Sequence, residues 1–218
     1  MIARLHARAR RGERGSILVE AALVIPILAS VLFAVIDIGM MWRADLTATN
    51  AVRSGLRVGS NVTVDPLADH AILTSLGAAL GSIQDRITVE WVTVYRVDSS
   101  TATAPPAACI SVAAVSAGGS VASACNTYDA TDLSSVLTDP VGSQSSFGQA
   151  GCSTGKDIFW CPTTRVVEQD TGAGPDYLGV GIKFAYRPYT AFLVSTKTMT
   201  DFGVMRLEPS GTLGGFGP

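Results

Sequence analysis

Two carboxylates stand where carboxylates are costly. Between Ser16 and Trp42 the chain reads SILVEAALVIPILASVLFAVIDIGMMW, and Glu20 and Asp37 are its only formal charges. An acid within a membrane helix costs about 2.5–3.5 kcal/mol at the bilayer centre, less near an interface, and calls for a partner. A cut after Gly15 would supply one. Ser16 would become an N-terminus with Glu20 as its fifth residue, and the carboxylate would neutralise a free α-amine on its own helix or a neighbouring one. Asp37 is expected at the outer headgroup level or against a basic group on another subunit. Further on, Arg53 and Arg57 are i,i+4 neighbours on one helix side. They are expected to face carboxylates of the head or a partner, to sit near a helix C-terminus, or to form a solvated basic face.

Other chemistry is sparse. The only histidines are His6 and His70, too few for most hydrolase or metal sites, and His70 is expected to be exposed or at the edge of a core. There is no G-x-S-x-G, P-loop, H-E-x-x-H or nucleotide-binding glycine fingerprint, so no enzyme is expected, and no cofactor or metal. Charged residues make up 16% of the 218, which argues against a disordered chain and against a nucleic-acid partner. Cys109, Cys125, Cys152 and Cys161 follow C-x15-C and C-x8-C spacings without a CxxC. An even count outside the cytoplasm favours two disulfides. Three connectivities are open; the sequential one, Cys109–Cys125 with Cys152–Cys161, is preferred because short loops close most readily.

The elements that must position these residues begin with a basic leader. Residues 1–15 hold five arginines against Glu13, a net +4, so the rest of the chain carries −6. The 27 residues from Ser16 to Trp42 would rise roughly 40 Å as a helix, enough to cross a bilayer. The arginines place the N-terminus in the cytoplasm and the remainder outside. An ordinary secretory signal fits less well: the uncharged run Ala21–Ile36 exceeds the usual apolar core, and no small-x-small cleavage site follows. Pro26 removes one backbone donor from the helix and predicts a kink.

Gly15 followed by apolar residues, with Glu20 fifth after the glycine, is similar to the processing site of type IV pilin-like precursors. With Pro26, Asp37 and the string Ala51-Val52-Arg53-Ser54-Gly55-Leu56-Arg57, the chain resembles the TadE/TadG-like minor pilins (pseudopilins) of tight-adherence pili. The resemblance implies that a prepilin peptidase cuts between Gly15 and Ser16. It also implies that Glu20 directs assembly, and that the partners are other pilins, the inner-membrane assembly platform and the lipid bilayer. A single-pass protein of the cytoplasmic membrane is implied, reaching the pilus or cell surface after assembly. Cys125-Asn126-Thr127-Tyr128, Pro175–Val180 and Met205–Pro209 resemble recurrent ectodomain pieces. Within them, Asp176 is expected to cap a turn and Glu208 to pair with a head arginine.

The fold class expected is α+β: a long N-terminal helix packed on a small antiparallel sheet with disulfide-tied loops. The divisions are a removable leader 1–15, a helix 16–59 that spans the membrane in its first ~27 residues, a head 60–209 and a flexible tail 210–218. A second helix is expected over 65–84, with Asp65 as N-cap, Pro66 at its first position, and Gly77 and Gly81 admitting another backbone. The alternation in Arg86–Val97 puts Ile87, Val89, Trp91, Thr93, Tyr95 and Val97 on one face. A second strand alternates Leu178, Val180, Ile182, Phe184 and Tyr186; Met199–Leu207 is a third, and TTRVVE at 163–168 a short edge strand. Two functions meet these expectations. One is a minor pilin that takes part in pilus assembly; the other is a permanently anchored extracytoplasmic binding or adhesion domain. The mature first residue separates them.

Overall fold

A computed structural model of the chain describes residues 6–97 (side chains from Gly15 onward), 104–111, 121–148, 152–167, 174–191 and 195–208. The expected tail at 210–218 and parts of the loop region lie outside the described residues. The fold is α+β. Helix α1, His6–Val62, runs 57 residues through Pro26, roughly 85 Å at 1.5 Å per residue. It is followed by α2 (Ala68–Leu80), β1 (Ile87–Val97), β2 (Cys125–Tyr128), α3 (Ala130–Thr138), β3 (Tyr177–Tyr186) and β4 (Lys197–Arg206). The strands form one antiparallel sheet in the order β2-β1-β3-β4.

The outer half of α1 and all of α2 cover one face of this sheet. Ala44, Ala48, Val52 and Leu56 of α1 share a core with Ile72 and Leu76 of α2 and with Leu178, Val180, Ile182 and Phe184 of β3. Close approach depends on small residues. A Cβ at Gly59 would lie 2.5 Å from the Leu178 side chain and 2.7 Å from that of Ile72, and one at Gly55 would lie 3.3 Å from Ile72. Beside Gly55, Ser54 meets Ser75 of α2 through hydroxyls 2.7 Å apart.

The second helix is shorter than its periodicity suggests. Asp65 accepts a bond from the Leu67 amide at 2.7 Å, a turn preceding the helix, and the regular helix begins at Ala68. A 3-10 stretch, Gly81–Arg86, carries the chain into β1. Gly77 does not meet a backbone: its missing Cβ makes room for the Leu137 side chain of α3, and nothing lies within 4 Å of a Cβ at Gly81.

In β1 the expected single face is split. Pairing with β3 slips between Val89 and Trp91, placing a bulge at Glu90. An extra residue reverses the alternation beyond it. Ile87 and Val89 therefore pack with Val92 and Val94 against the helices, while Tyr95 and Val97 join Cys109 and Cys125 in a second cluster. The fourth strand is β2, not 163–168. Residues 162–164 form a 3-10 turn followed by extended chain without ladder pairing. Disulfides join Cys109 to Cys125 and Cys152 to Cys161.

Candidate functional site

The helix that carries both singular carboxylates divides in two at Asp37. From Gly15 to Leu28 every side chain but Ala21 is exposed, including Ile17, Leu18, Leu23, Ile25 and Ile27 at 61–71%. Leu, Ile, Val and Ala without an interior glycine sustain a helix there, and no head residue covers it. The helix is long and apolar enough to cross a membrane. Glu20 is exposed on this half and forms no ion pair among the described residues. Pro26 has no N–H to give the Ala22 carbonyl, so one polar group is freed within the apolar stretch.

Asp37 is where the head begins. It is 5% exposed, against 41% and 51% for its neighbours Ile36 and Ile38. Its carboxylate accepts a bond from the Thr190 amide at 3.1 Å and another from the Thr190 hydroxyl. Its donors here come from a residue 153 positions along the same chain. Above this latch, Met40, Met41 and Ala44 turn into the head. Ile38, Trp42 and Leu46 remain outside at 51–66% exposure.

The string 51–57 separates by face. Ala51, Val52, Gly55 and Leu56 are buried against the head, while Arg53 and Arg57 are exposed and form no ion pair among the described residues. Glu208 is likewise exposed without an ion pair among those residues; its backbone amide meets the Ser60 carbonyl at 3.4 Å. Asp176 does more than cap a turn. It is 8% exposed, binds Arg96 Nε at 3.0 Å and accepts the Val166 amide at 2.9 Å, tying the 165–167 segment to the base of β3.

The most concentrated polar cluster in the head is one the sequence reading missed. Asp69, fully buried on α2, accepts bonds from Asn126 Nδ2 and the Tyr128 hydroxyl at 2.7 Å each and pairs with the buried Arg165 at 2.5 Å. The Arg165 guanidinium stacks 4.2 Å over the Trp160 ring. Asn126 also bonds the Trp160 backbone in both directions, at 2.9 Å each. A buried carboxylate so completely donated to fixes its neighbours in place. Burial, with the negative Asp69 beside it, pushes the Tyr128 hydroxyl well above its ordinary range. The only signals in the sequence were an acid inside an apolar helix and the piece 125–128.

His70 is buried at the same end of α2, 2.9 Å from the Ser143 hydroxyl and edge-on to Phe147. Burial lowers its pKa, so a neutral ring is favoured. Asp157, fully buried, accepts the Gly148 amide at 3.0 Å, and desolvation raises its pKa. No cluster of three His, Cys, Asp or Glu suited to a metal occurs among the described residues.

The model of the TadE-like protein family matches residues 15–57. No curated protein and no solved structure matches the chain. The match begins at the glycine of the expected cut and ends at Arg57, taking in the bare half of α1, the Asp37 latch and the docking face of 51–56. Over this segment, which carries Glu20, Asp37 and the Arg53/Arg57 pair, the chain is similar to TadE-like proteins.

Proposed function

We propose that this protein is a minor pilin of a tight-adherence pilus, made as a precursor, cut between Gly15 and Ser16 by a prepilin peptidase, and assembled through Glu20. A TadE-like segment associates the chain with the tight-adherence pilus system. The observation that carries the finer reading is the bare half of α1: apolar, exposed and interrupted by one carboxylate without an ion-pair partner among the described residues. Such a surface has two uses in sequence, first lipid and then the helices of neighbouring subunits.

The head's first contact at Asp37 shortens the expected span. Ser16–Ile36, about 21 residues, rises roughly 32 Å, which fits a hydrocarbon core of about 30 Å. Asp37, buried against Thr190, supports assigning residues 37–42, apolar as they are, to the head's base. The arginines of residues 1–15 keep the N-terminus cytoplasmic and the head extracytoplasmic, where the two disulfides form. Glu20 then lies near the inner boundary, within reach of a freed α-amine on a neighbouring subunit. Partners are the peptidase, other pilins and the assembly platform. The role is structural, with no reaction of its own.

The deciding measurement is the first residue of the protein purified from its host. Ser16 is expected, and Gly15→Leu is expected to leave the full precursor mass. Recovery of the wild type with residues 1–15 attached would favour a permanently tethered binding domain instead.

A further inference from the structure

At the base of the head, where α1 leaves the apolar stretch, two cations line one cavity, and no acid is among its lining residues. Arg43 of α1 and Arg86, the residue before β1, line this cavity of about 30 Å³, with Met40, Ser82, Tyr186 and Tyr189. That is room for about one water or one oxygen of a larger group. Tyr186 is 1% exposed, and its hydroxyl has no hydrogen-bond partner among the described residues. A buried hydroxyl left so costs about 1–3 kcal/mol, which a ligand oxygen would recover. The nearest acids are already engaged: Asp37 by Thr190, and the exposed Asp85 by Arg86 Nε at 3.4 Å.

The surroundings indicate what the ligand is attached to. The Arg86 guanidinium lies 3.8 Å over the ring of Tyr189, which is 50% exposed, and Trp42 is 66% exposed on the outward face of α1. Exposed Arg187 and Lys197 stand at the same end of the sheet, since Ile87 pairs with Tyr186 and Tyr186 with Lys197. Trp42 lies about 7.5 Å along the helix from Asp37, and a headgroup layer is about 5–8 Å thick. Aromatic rings and arginines at that height match a membrane interface.

We propose that this cavity takes one phosphoryl oxygen of a phospholipid headgroup, the rest of the phosphate staying at its mouth, so that the base of the head rests on the outer leaflet with Arg43, Arg86 and the Tyr186 hydroxyl around that oxygen. The inference depends on the reading of Ser16–Ile36 as a membrane span. Anionic lipid is favoured over zwitterionic lipid because no choline cation competes with the arginines.

The test uses the full chain in nanodiscs of phosphatidylcholine alone and with phosphatidylglycerol added, read by amide hydrogen exchange over 82–86 and 187–191. Exchange about fivefold slower with phosphatidylglycerol is expected. Arg43→Gln should abolish the difference and Tyr186→Phe reduce it, with head melting unchanged in both variants. Equal exchange in the two lipids, with the chain still resisting alkaline carbonate extraction from vesicles, would overturn the seat and leave the span standing. Extraction by carbonate would overturn both. Equal protection by inorganic phosphate in detergent, or protection that rises with chains per disc regardless of lipid, would also overturn it: the first indicates a soluble anion, the second another copy of this chain.

Discussion

Glu20 and Asp37 sit on one uninterrupted helix, in equally apolar sequence, and the chain treats them in opposite ways. Asp37 is buried with two donors from Thr190, while Glu20 is exposed and forms no ion pair among the described residues. The same division separates the glycines: Gly59 touches Ile72 and Leu178, whereas Gly39 has nothing within 4 Å. Apolarity alone therefore does not tell a helix half that is finished within its own fold from one that awaits other molecules. What distinguishes them is whether each small or charged residue has already met its complement.

The largest effect should come from the finished side. Asp69→Ala leaves Arg165 buried without its carboxylate and is expected to destabilise the head by about 3–5 kcal/mol in chemical denaturation. A loss below about 1 kcal/mol would mean that water reaches the cluster. Next, Gly59→Ala is expected to cost about 1–3 kcal/mol by overpacking against Ile72 and Leu178. Gly39→Ala should leave head stability unchanged, and similar losses at both glycines would erase the distinction between the faces.

A third pair sharpens the contrast between the acids. Asp37→Ala, which removes the charged acceptor of the Thr190 amide and hydroxyl, is expected to lower stability by about 1–3 kcal/mol. Glu20→Ala should not move head melting and should reduce pilus assembly, scored by electron microscopy of the host. Normal piliation would remove Glu20 from the assembly role.

The smallest effect is on pH. Folding lowers the His70 pKa from 6.5, so on acidification the unfolded chain takes up that proton first, and stability falls as pH drops below about 6.5. His70→Asn should flatten this limb of a melting-temperature profile. Asp157 acts with the opposite sign at lower pH: its raised folded pKa lets the native state protonate first, which relieves the cost of burying the charge. A wild-type profile flat from pH 7 to 5 would show that the buried ring is hydrated.

Much of the architecture was legible because its signals are local. The apolar run marks α1, strict alternation marks β3, and the short cysteine loops match the bonds present. The bulge at Glu90 was not legible, because a continuous alternation conceals one added residue until the strand is paired. Strand β2, at four residues, is too short to show a period. The Asp69 cluster and the Asp37 latch join residues 57–153 positions apart, and no spacing rule reaches that far. Arg53 and Arg57 were legible as a pair, and their exposure follows from the buried small residues beside them.

The helix that would hold this protein in a membrane is also a wall of its head, and β4 runs alongside it from the Asp37 end to the Ser60 end. There is no swivel between tether and cargo. Tension on the tether is delivered to the core that α1 shares with α2 and β3 rather than to a linker. Any rotation of the helix about its axis must likewise turn the whole head, so the facing of the surface at the far end is set by how the helix is seated below.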